Sequence, residues 1–430
     1  MPQSLTYSGG AVNARRPGAK FAFERADEAA MLCPTMRVPL LDLSHQYAAL
    51  AQPIRAGIDE VLASQRFILG PKVKAFEEAI AGFCRVPHAI GVSSGTDGLL
   101  AILMALEIGP GAAVITTPYT FFATAGCIAR VGATPVFIDI DAATFNISAA
   151  AVERFLEEQC EQKSGTTIIR KSGQRLRAIV AVHLFGLCCD MQPLLSLAEK
   201  FGLELIEDAA QAIGAEYPLT AGTRLAGTMA KTGFLSFYPS KNLSAAGDAG
   251  VILCRNKTLA DQIRTIREHG MQPRYYHERI GGNFRLDEIQ AAILGVKLPH
   301  LQSWSSARRA AADIYRSEFS RAGLTTSIQL PAEPYRDRLP DGYHVYHQYV
   351  IRSIQRDALR QHLTEREIGT EIYYPVPLHL QKCFCYLDYH EGDFPEAERA
   401  SRETLALPIY PEITREAQRY VVNAIAEFFS

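Results

Sequence analysis

Short apolar runs alternate with amphipathic stretches along the first part of the chain. Seven of the runs predict buried strands, at residues 89–92, 113–117, 135–138, 178–182, 203–208, 233–237 and 251–254. Between them, apolar residues recur at helical spacing, as Phe76, Ile80 and Phe83 do. Because strands that alternate with helices form a parallel sheet covered on both faces, the pattern predicts an α/β fold.

The pattern weakens after residue 296. The last well-marked helix, 286–296, carries Asp287 and Gln290 at the spacing of a capping box. Beyond it we predict a strand, a helix and an irregular loop, at residues 348–351, 357–363 and 373–379. Since 430 residues exceed the roughly 250–300 at which a single core tends to divide, we predict a large domain at 36–296 and a smaller C-terminal α/β domain at 297–430.

Two stretches depart from this regular patterning. Residues 1–35 contain small and turn-forming residues without sustained periodicity, which predicts a flexible leader. Residues 157–175 are polar and longer than a crossover between strands requires. We interpret them as a surface insertion without chemistry.

Composition excludes several classes of protein. An apolar fraction of 48% and a charged fraction of 21% are typical of globular chains. A net charge of −2 provides no basic field for nucleic acid or anionic lipid. The nine cysteines show no C-x-x-C spacing, so neither a disulfide framework nor a metal site is predicted. Without a run of ~20 apolar residues or a secretory signal, we expect a cytoplasmic protein.

Two charged residues follow predicted strands and have the chemistry of a cofactor site. Lys241 comes just after the run 233–237, and a lysine with a lowered pKa forms Schiff bases with carbonyl groups. Asp208 ends the run 203–208 and could keep the pyridine nitrogen of pyridoxal phosphate protonated. The alternatives are a solvated loop lysine and a helix N-cap at Asp208.

A candidate anion site follows the first predicted strand. There, Gly95 and Thr96 stand at the start of a helix, where free N–H groups and the helix dipole attract a phosphate. The alternative is an ordinary N-cap by Thr96. Parallel sheets bind ligands beyond the carboxyl ends of their strands, where His183, Asp208 and this turn are all expected.

Three motifs resemble one known family. The sequence Glu-Asp-Ala-Ala-Gln at 207–211, Phe-Tyr-Pro-Ser-Lys-Asn-Leu at 237–243 and Gly-Asp-Ala-Gly at 247–250 resemble those of the DegT/DnrJ/EryC1/StrS sugar aminotransferases. The resemblance runs from about Val38 to the C-terminus, which makes Met36 a candidate alternative start. It implies a fold-type I enzyme with a mostly parallel seven-stranded sheet flanked by helices and a smaller C-terminal α/β domain.

The resemblance also implies pyridoxal 5'-phosphate as cofactor and a role for each matching residue. Lys241 would bind the cofactor and move the proton during transamination, Asp208 would hold the ring nitrogen and Gln211 a ring oxygen. Phe121 would stack on the ring, with a core phenylalanine as the alternative. The phosphate would be held by Gly95, Thr96, Ser236 and the partner subunit's Asn283.

Asn283 therefore implies a homodimer with shared sites, although a turn-forming asparagine is the alternative. For the substrate, the resemblance points to Tyr374 and His379, with structural packing of both rings left open, and the position of His183 at a strand end makes it a third candidate. The implied acceptor is a nucleotide-linked keto-sugar and the donor glutamate, in amino-sugar biosynthesis. Amination at C3 is favoured because the residues at 275–277 and 283–287 resemble the loop of sugar 3-aminotransferases.

The sequence leaves two other functions open. A related keto-sugar dehydratase is disfavoured, because those relatives carry histidine where this chain has Lys241. A non-catalytic regulator that binds the cofactor is the second alternative, and the intact set of Lys241, Asp208 and Gln211 argues against it.

Overall fold

The computed structural model describes residues 36–430, and the predicted leader at 1–35 lies outside the described residues. The helices are α1 (Ser44–Ser64), α2 (Pro71–Cys84), α3 (Gly95–Ala105), α4 (Ala123–Arg130), α5 (Ala149–Gln159), α6 (Met191–Phe201), α7 (Lys257–Arg267), α8 (Glu288–Lys297), α9 (Leu301–Arg321), α10 (Arg356–Glu365), α11 (Pro395–Glu403) and α12 (Arg415–Phe429). The strands are β1 (His88–Val92), β2 (Ala112–Thr116), β3 (Thr134–Phe137), β4 (Cys160–Lys163), β5 (Thr166–Ile169), β6 (Arg175–Val182), β7 (Glu204–Asp208), β8 (Glu216–Leu219), β9 (Gly222–Leu225), β10 (Thr232–Ser236), β11 (Gly250–Cys254), β12 (Tyr349–Arg352) and β13 (Thr404–Leu407).

Seven strands form the main path of the central sheet, in the order β1-β11-β10-β7-β6-β2-β3. The neighbouring pairs from β10 to β3 are parallel, and β11 runs antiparallel to both β1 and β10. Each of the seven corresponds to one predicted apolar run. The predicted α/β class and mostly parallel sheet are therefore confirmed.

The polar stretch at 157–175 has more structure than predicted. Its first residues complete α5, and the following ones form the hairpin β4–β5. Strand β5 pairs with β6, so the hairpin extends the sheet to nine strands. Ser164 and Gly165 turn the hairpin with φ values of 51° and 75°. Two consecutive residues with positive φ form the tight turn that hairpins favour. The stretch does lie at the surface, since Lys163, Ser164 and Gly165 are exposed.

Helices cover both faces of the sheet, which explains the continuous apolar runs. In β2, Ala113 and Ile115 pack on the face covered by α2, α5 and α6, whereas Ala112 and Val114 pack on the face covered by α3, α4 and α7. Successive residues of a strand point to opposite faces, so a strand between two helical layers must be apolar throughout.

The C-terminal part has its own apolar cluster. Helices α9, α10 and α12 pack with the antiparallel pair β12–β13. Val38 belongs to the same cluster and pairs with the segment at Ile368. Another cluster, which includes Phe137 and Val350, continues across the predicted boundary. Residues 36–430 form one compact unit, and the division at 296/297 stays a prediction.

The start of α8 differs from the predicted capping box. Asp287 is at the N-cap position but accepts no capping hydrogen bond, and Gln290 instead accepts one from the backbone N–H of Ala246 at 2.8 Å. The buried Glu288 caps a different helix, because its carboxylate accepts hydrogen bonds from backbone N–H groups at the start of α2. No helix within residues 36–430 has the length and apolar character needed to cross a membrane.

Candidate active site

A cavity of about 690 Å³ lies where β6, β7 and β10 end. Val182, Asp208 and Ser236, the last residues of these strands, all line it. Most of the predicted site residues meet in its wall, namely Gly95, Thr96, Phe121, Asp208, Gln211, Ser236, Lys241 and Tyr374. The cavity is therefore at the edge where a parallel sheet is expected to bind a ligand.

Lys241 projects into this cavity from the turn after β10. Its backbone N–H donates to the carbonyl oxygen of Tyr238 at 2.8 Å, which closes the turn. Burial lowers the pKa of Lys241 to about 8, and the negative charge of Asp208 opposes that shift. A solvated loop lysine would not line a cavity in this way. Near neutral pH a useful share of this amine is uncharged, as a nucleophile toward a carbonyl group must be.

Asp208 is buried at the end of β7. One carboxylate oxygen accepts from the Thr124 hydroxyl at 2.8 Å and the other from the Ala210 backbone N–H at 3.2 Å. Burial raises the pKa of Asp208, against the effect of these hydrogen bonds and of Lys241. The chain continues as a turn, so the helix N-cap alternative does not apply. A buried carboxylate of this kind is stabilised by a cation, and a protonated ring nitrogen would supply one.

The first turn of α3 forms a cradle for an anion. Ser94, not Thr96, is the N-cap, because its hydroxyl accepts from the backbone N–H of Asp97 at 3.0 Å. A Cβ atom added at Gly95 would lie 2.9 Å from the Cβ atom of Ser236. Glycine thus lets the end of β10 approach the helix, and the N–H groups of Gly95 and Thr96 have no partner within the helix. With the hydroxyls of Thr96 and Ser236, they suit a phosphate.

Gln211 joins the cavity to its aromatic wall. Its carbonyl oxygen accepts from the Phe185 backbone N–H at 2.7 Å, and its amide nitrogen donates to the Tyr374 hydroxyl at 3.1 Å. The ring of Phe121 is 57% exposed and its centroid lies 6.3 Å from that of Tyr374. Phe121 is therefore not a core residue, and its ring is available to a planar ligand.

Three predicted residues do not reach the cavity of their own chain. His183 is fully buried, with Nδ1 accepting from the Cys189 backbone N–H and Nε2 3.0 Å from the Glu207 carboxylate. His379 is buried 3.2 Å from the Glu398 carboxylate. The geometry of both rings fits packing, and neither lines the cavity to contact a substrate. Asn283 is exposed and also lies outside the cavity wall.

The cavity also contains residues that the sequence analysis missed. Thr124, on α4, donates to Asp208 at the end of β7, and the order of residues gave no signal of that contact. His347, Gln348 and Glu371 line the wall from the C-terminal part of the chain. The only signal in the sequence was that His347 lies in a connecting segment just before the predicted strand at 348–351, and connecting segments often carry binding residues.

Residues 49–426 match the profile of the DegT/DnrJ/EryC1/StrS aminotransferase family. The chain belongs to this family. The predicted resemblance is thereby confirmed, over nearly the whole of the part that the structure describes.

Three relatives illustrate the range of names within the family. A "pleiotropic regulatory protein" of Geobacillus stearothermophilus is 47% identical over 92% of this chain and 99% of its own. The UDP-N-acetyl-3-dehydro-alpha-D-glucosamine 3-aminotransferase of Acidithiobacillus ferrooxidans is 40% identical over 90% of this chain and 97% of its own. The crystal structure of Streptomyces venezuelae DesV, in complex with a ketimine intermediate, is 38% identical with a TM-score of 0.82, over 92% of this chain and 99% of its own.

Aminotransferases of this family depend on pyridoxal 5'-phosphate. A relative of known structure from Bacillus subtilis holds its cofactor PMP. It is 28% identical, with a TM-score of 0.78, over 90% of this chain and 84% of its own. The residues of this chain fit the group. The buried Asp208 carboxylate suits a pyridinium nitrogen, and the close approach of Gly95 to Ser236 leaves a phosphate cradle at the start of α3. Lys241 lines the same cavity and can bond to the aldehyde.

Proposed function

We propose that this protein transfers an amino group from an amino acid to the keto group of a nucleotide-linked sugar, in amino-sugar biosynthesis. The observation that carries the proposal is the presence of Lys241, with a pKa lowered to about 8, and the buried Asp208 in one cavity beside a phosphate cradle. Because the chain belongs to an aminotransferase family, we assign transamination to this pair of residues.

In the proposed mechanism, the chain orients its cofactor and moves one proton. Pyridoxal 5'-phosphate supplies an aldehyde that condenses with amines and a ring that withdraws electrons from the adjacent carbon. Asp208 would keep the ring nitrogen protonated, which would maintain that withdrawal. Gly95, Thr96 and Ser236 would hold the phosphate and so fix the ring relative to Lys241. The Nζ amine of Lys241, which lines the same cavity, would hold the proton that leaves the substrate carbon and would give it back during the transfer.

We infer glutamate as the amino donor and C3 of the sugar as the site of amination. The relative from Acidithiobacillus ferrooxidans is named as a 3-aminotransferase that acts on a UDP-linked sugar, which supports C3 and a nucleotide-linked acceptor. The loop at 275–277 and 283–287 supports the same assignment through its resemblance to 3-aminotransferases. The Tyr374 hydroxyl offers hydrogen bonding to such a ligand, and the exposed Phe121 ring beside it is available to stack on the cofactor.

We further propose that the enzyme is a cytoplasmic homodimer whose sites are shared, with the partner subunit's Asn283 completing the phosphate site. The exposure of Asn283 and its absence from the wall of its own chain's cavity support this arrangement. Tyr275, Tyr276 and Ile280 in the same loop are 72%, 69% and 86% exposed, which is the apolar surface that a partner chain would cover.

The experiment first converts the protein to its amine form with glutamate and then offers a panel of 3-keto and 4-keto nucleotide sugars. We expect the visible absorbance of the lysine-bound cofactor to return with 3-keto sugars, and the product to carry a 3-amino group by mass spectrometry and NMR. Return with 4-keto sugars alone would contradict C3. Return with simple 2-oxo acids alone would contradict a sugar acceptor.

A non-catalytic regulator is the second candidate, since the relative from Geobacillus stearothermophilus is named as a regulatory protein. The two functions differ in one measurable respect. A regulator that binds the cofactor would form the absorbance band yet fail to lose it with glutamate or any other amino acid. An enzyme loses the band and regains it with its acceptor.

A further inference from the structure

His347 lies in the wall of the cavity but has no role in the chemistry proposed above. Its side chain is 7% exposed and lines the same cavity as Lys241. It comes from the segment before β12, in the C-terminal part of the chain, whereas Lys241 follows β10.

The backbone that carries His347 is held from two sides. The buried guanidinium of Arg308, on α9, donates to the carbonyl oxygens of Tyr346 and Ile409 at 3.0 Å each. On the other side, the Val345 N–H donates to the carbonyl oxygen of Gly186 at 3.0 Å. The imidazole ring is therefore presented to the cavity by a rigid support.

The hydrogen bonds around the ring define its tautomer. The amide nitrogen of Asn242 donates to the Val345 carbonyl oxygen at 2.9 Å, which turns the amide oxygen of Asn242 toward His347. That oxygen lies 3.1 Å from Nδ1 of His347, so Nδ1 must carry the hydrogen. Burial, and then the positive charges of Lys241 and Arg308, hold the pKa of His347 well below its usual range. The ring is thus neutral, and its Nε2 atom can only accept.

The Nε2 atom has no hydrogen-bond partner among residues 36–430. The acidic groups that line the cavity with Lys241 are Asp208, Asp248 and Glu371. Asp208 is held by Thr124 and Ala210, and Glu371 lies 3.6 Å from the guanidinium of Arg360. His347 offers a neutral, unpaired acceptor in this wall, and its Nδ1–H is bound to Asn242, the residue that follows Lys241 in the chain.

We propose that His347 is a positioning residue for Lys241: its Nδ1–H holds Asn242, and its Nε2 lone pair accepts a hydrogen bond from the Lys241 amine when that amine is free. A free lysine side chain has many rotamers, and a hydrogen bond to a fixed ring selects the one that faces the substrate carbon. The inference rests on the proposed role of Lys241, and its test does not require turnover.

The test uses two substitutions that distinguish the roles of the two ring nitrogens. His347→Asn keeps a donor near the position of Nδ1 and loses Nε2. His347→Gln extends its amide to the position of Nε2 and loses the donor to Asn242. Full-length protein freed of cofactor is methylated reductively at pH 6 to 11, and the pKa of Lys241 is obtained from the labelling of its peptide by mass spectrometry.

We expect the pKa of Lys241 to fall by about one unit in His347→Asn, because an acceptor stabilises the ammonium form by roughly 1–2 kcal/mol. In His347→Gln the fall should be less than half as large. Lys297 is the internal control. Burial also lowers its pKa to about 8, but its ammonium donates to Ser244 and does not line the cavity, so its value should stay constant.

An unchanged pKa of Lys241 in His347→Asn, or an equal fall in both variants, would overturn the proposal. If His347→Asn does not fold, nitrogen NMR of the imidazole ring in the wild-type protein tests the proposal instead. The proposal requires Nδ1 protonated and Nε2 bare from pH 6 to 9, and a protonated Nε2 contradicts it. A chain that shows the expected pKa pattern but no transamination would contradict the proposed function alone.

Discussion

At the scale of single residues, a substitution at Asp208 distinguishes a catalytic role of this side chain from a purely structural one. In Asp208→Asn, the amide oxygen can still accept from the Ala210 N–H, and the amide nitrogen can donate to the Thr124 hydroxyl. We therefore expect a melting temperature close to that of the wild type and a fall in kcat of at least about 100-fold, because the amide does not stabilise the protonated ring. Steady-state kinetics and a thermal melt measure both quantities. Near-normal turnover would mean that Asp208 is only structural.

Gly95 offers a second test at this scale, directed at the phosphate cradle. In Gly95→Ala the new Cβ atom would lie 2.9 Å from the Cβ atom of Ser236, so the first turn of α3 must move away from β10. We expect the affinity for pyridoxal 5'-phosphate to fall at least about tenfold, the loss of one hydrogen bond to a charged group. Equilibrium dialysis measures it.

Gly82→Ala is the matched control for this substitution. Gly82 is on α2, and a Cβ atom there would meet nothing within 4 Å. Alanine should leave cofactor affinity unchanged and increase stability slightly. Equal affinities of the Gly95 and Gly82 variants would contradict the cradle.

The residues that sequence reasoning found and those it missed differ in one physical respect. Lys241, Asp208 and Gly95 follow strands or begin a helix, so their chemistry is visible in the local pattern. Thr124 and His347 reach the cavity through tertiary packing, which no local pattern contains. His183 shows the opposite error: its position at a strand end was predicted correctly, but the direction of its side chain depends on the buried Glu207.

At the scale of helices and strands, the apolar runs predicted the central sheet because each of its strands is buried on both faces. The hairpins β4–β5 and β8–β9 were not predicted, since Glu161, Lys163 and Arg224 give these strands little apolar character. The capping box predicted at α8 was wrong because Asp287 makes no capping hydrogen bond, and Gln290 accepts from the Ala246 N–H, which is far away along the chain.

Glu288, on α8, caps the start of α2. Its carboxylate accepts from the Gly70 N–H at 2.9 Å and the Val73 N–H at 3.1 Å, and thereby replaces the side chain that an N-cap glycine lacks. Glu288→Ala should lower the free energy of unfolding by about 2 kcal/mol, because it leaves buried N–H groups without partners. Glu288→Gln retains an acceptor and should lose less than half as much in urea denaturation. Equal losses would assign the effect to charge or packing instead of capping.

At the scale of the whole molecule, the proposed dimer predicts complementation between two inactive chains. Lys241→Ala lacks the reactive amine, and Asn283→Ala lacks the side chain proposed to complete the phosphate site of the partner subunit. A mixed dimer would have one site with both defects and one site with neither. We expect activity to return when the two variants are refolded together, up to about a quarter of the wild-type value if mixing is random.

Each variant refolded alone is the control for this experiment, and mass spectrometry under native conditions confirms the mixed dimer. If mixed dimers form and stay inactive, the sites are not shared through Asn283. An active Asn283→Ala parent would show that this side chain is not required.

Borohydride reduction of the protein loaded with pyridoxal 5'-phosphate, followed by peptide mass spectrometry, shows whether Lys241 forms the covalent bond to the cofactor. We expect the added mass on the Lys241 peptide and its absence from Lys241→Ala. Lys297 is the control within the same sample, because its pKa is also lowered to about 8 but it lies outside the cavity wall. Label on Lys297 or another lysine, with Lys241 unmodified, would contradict the account.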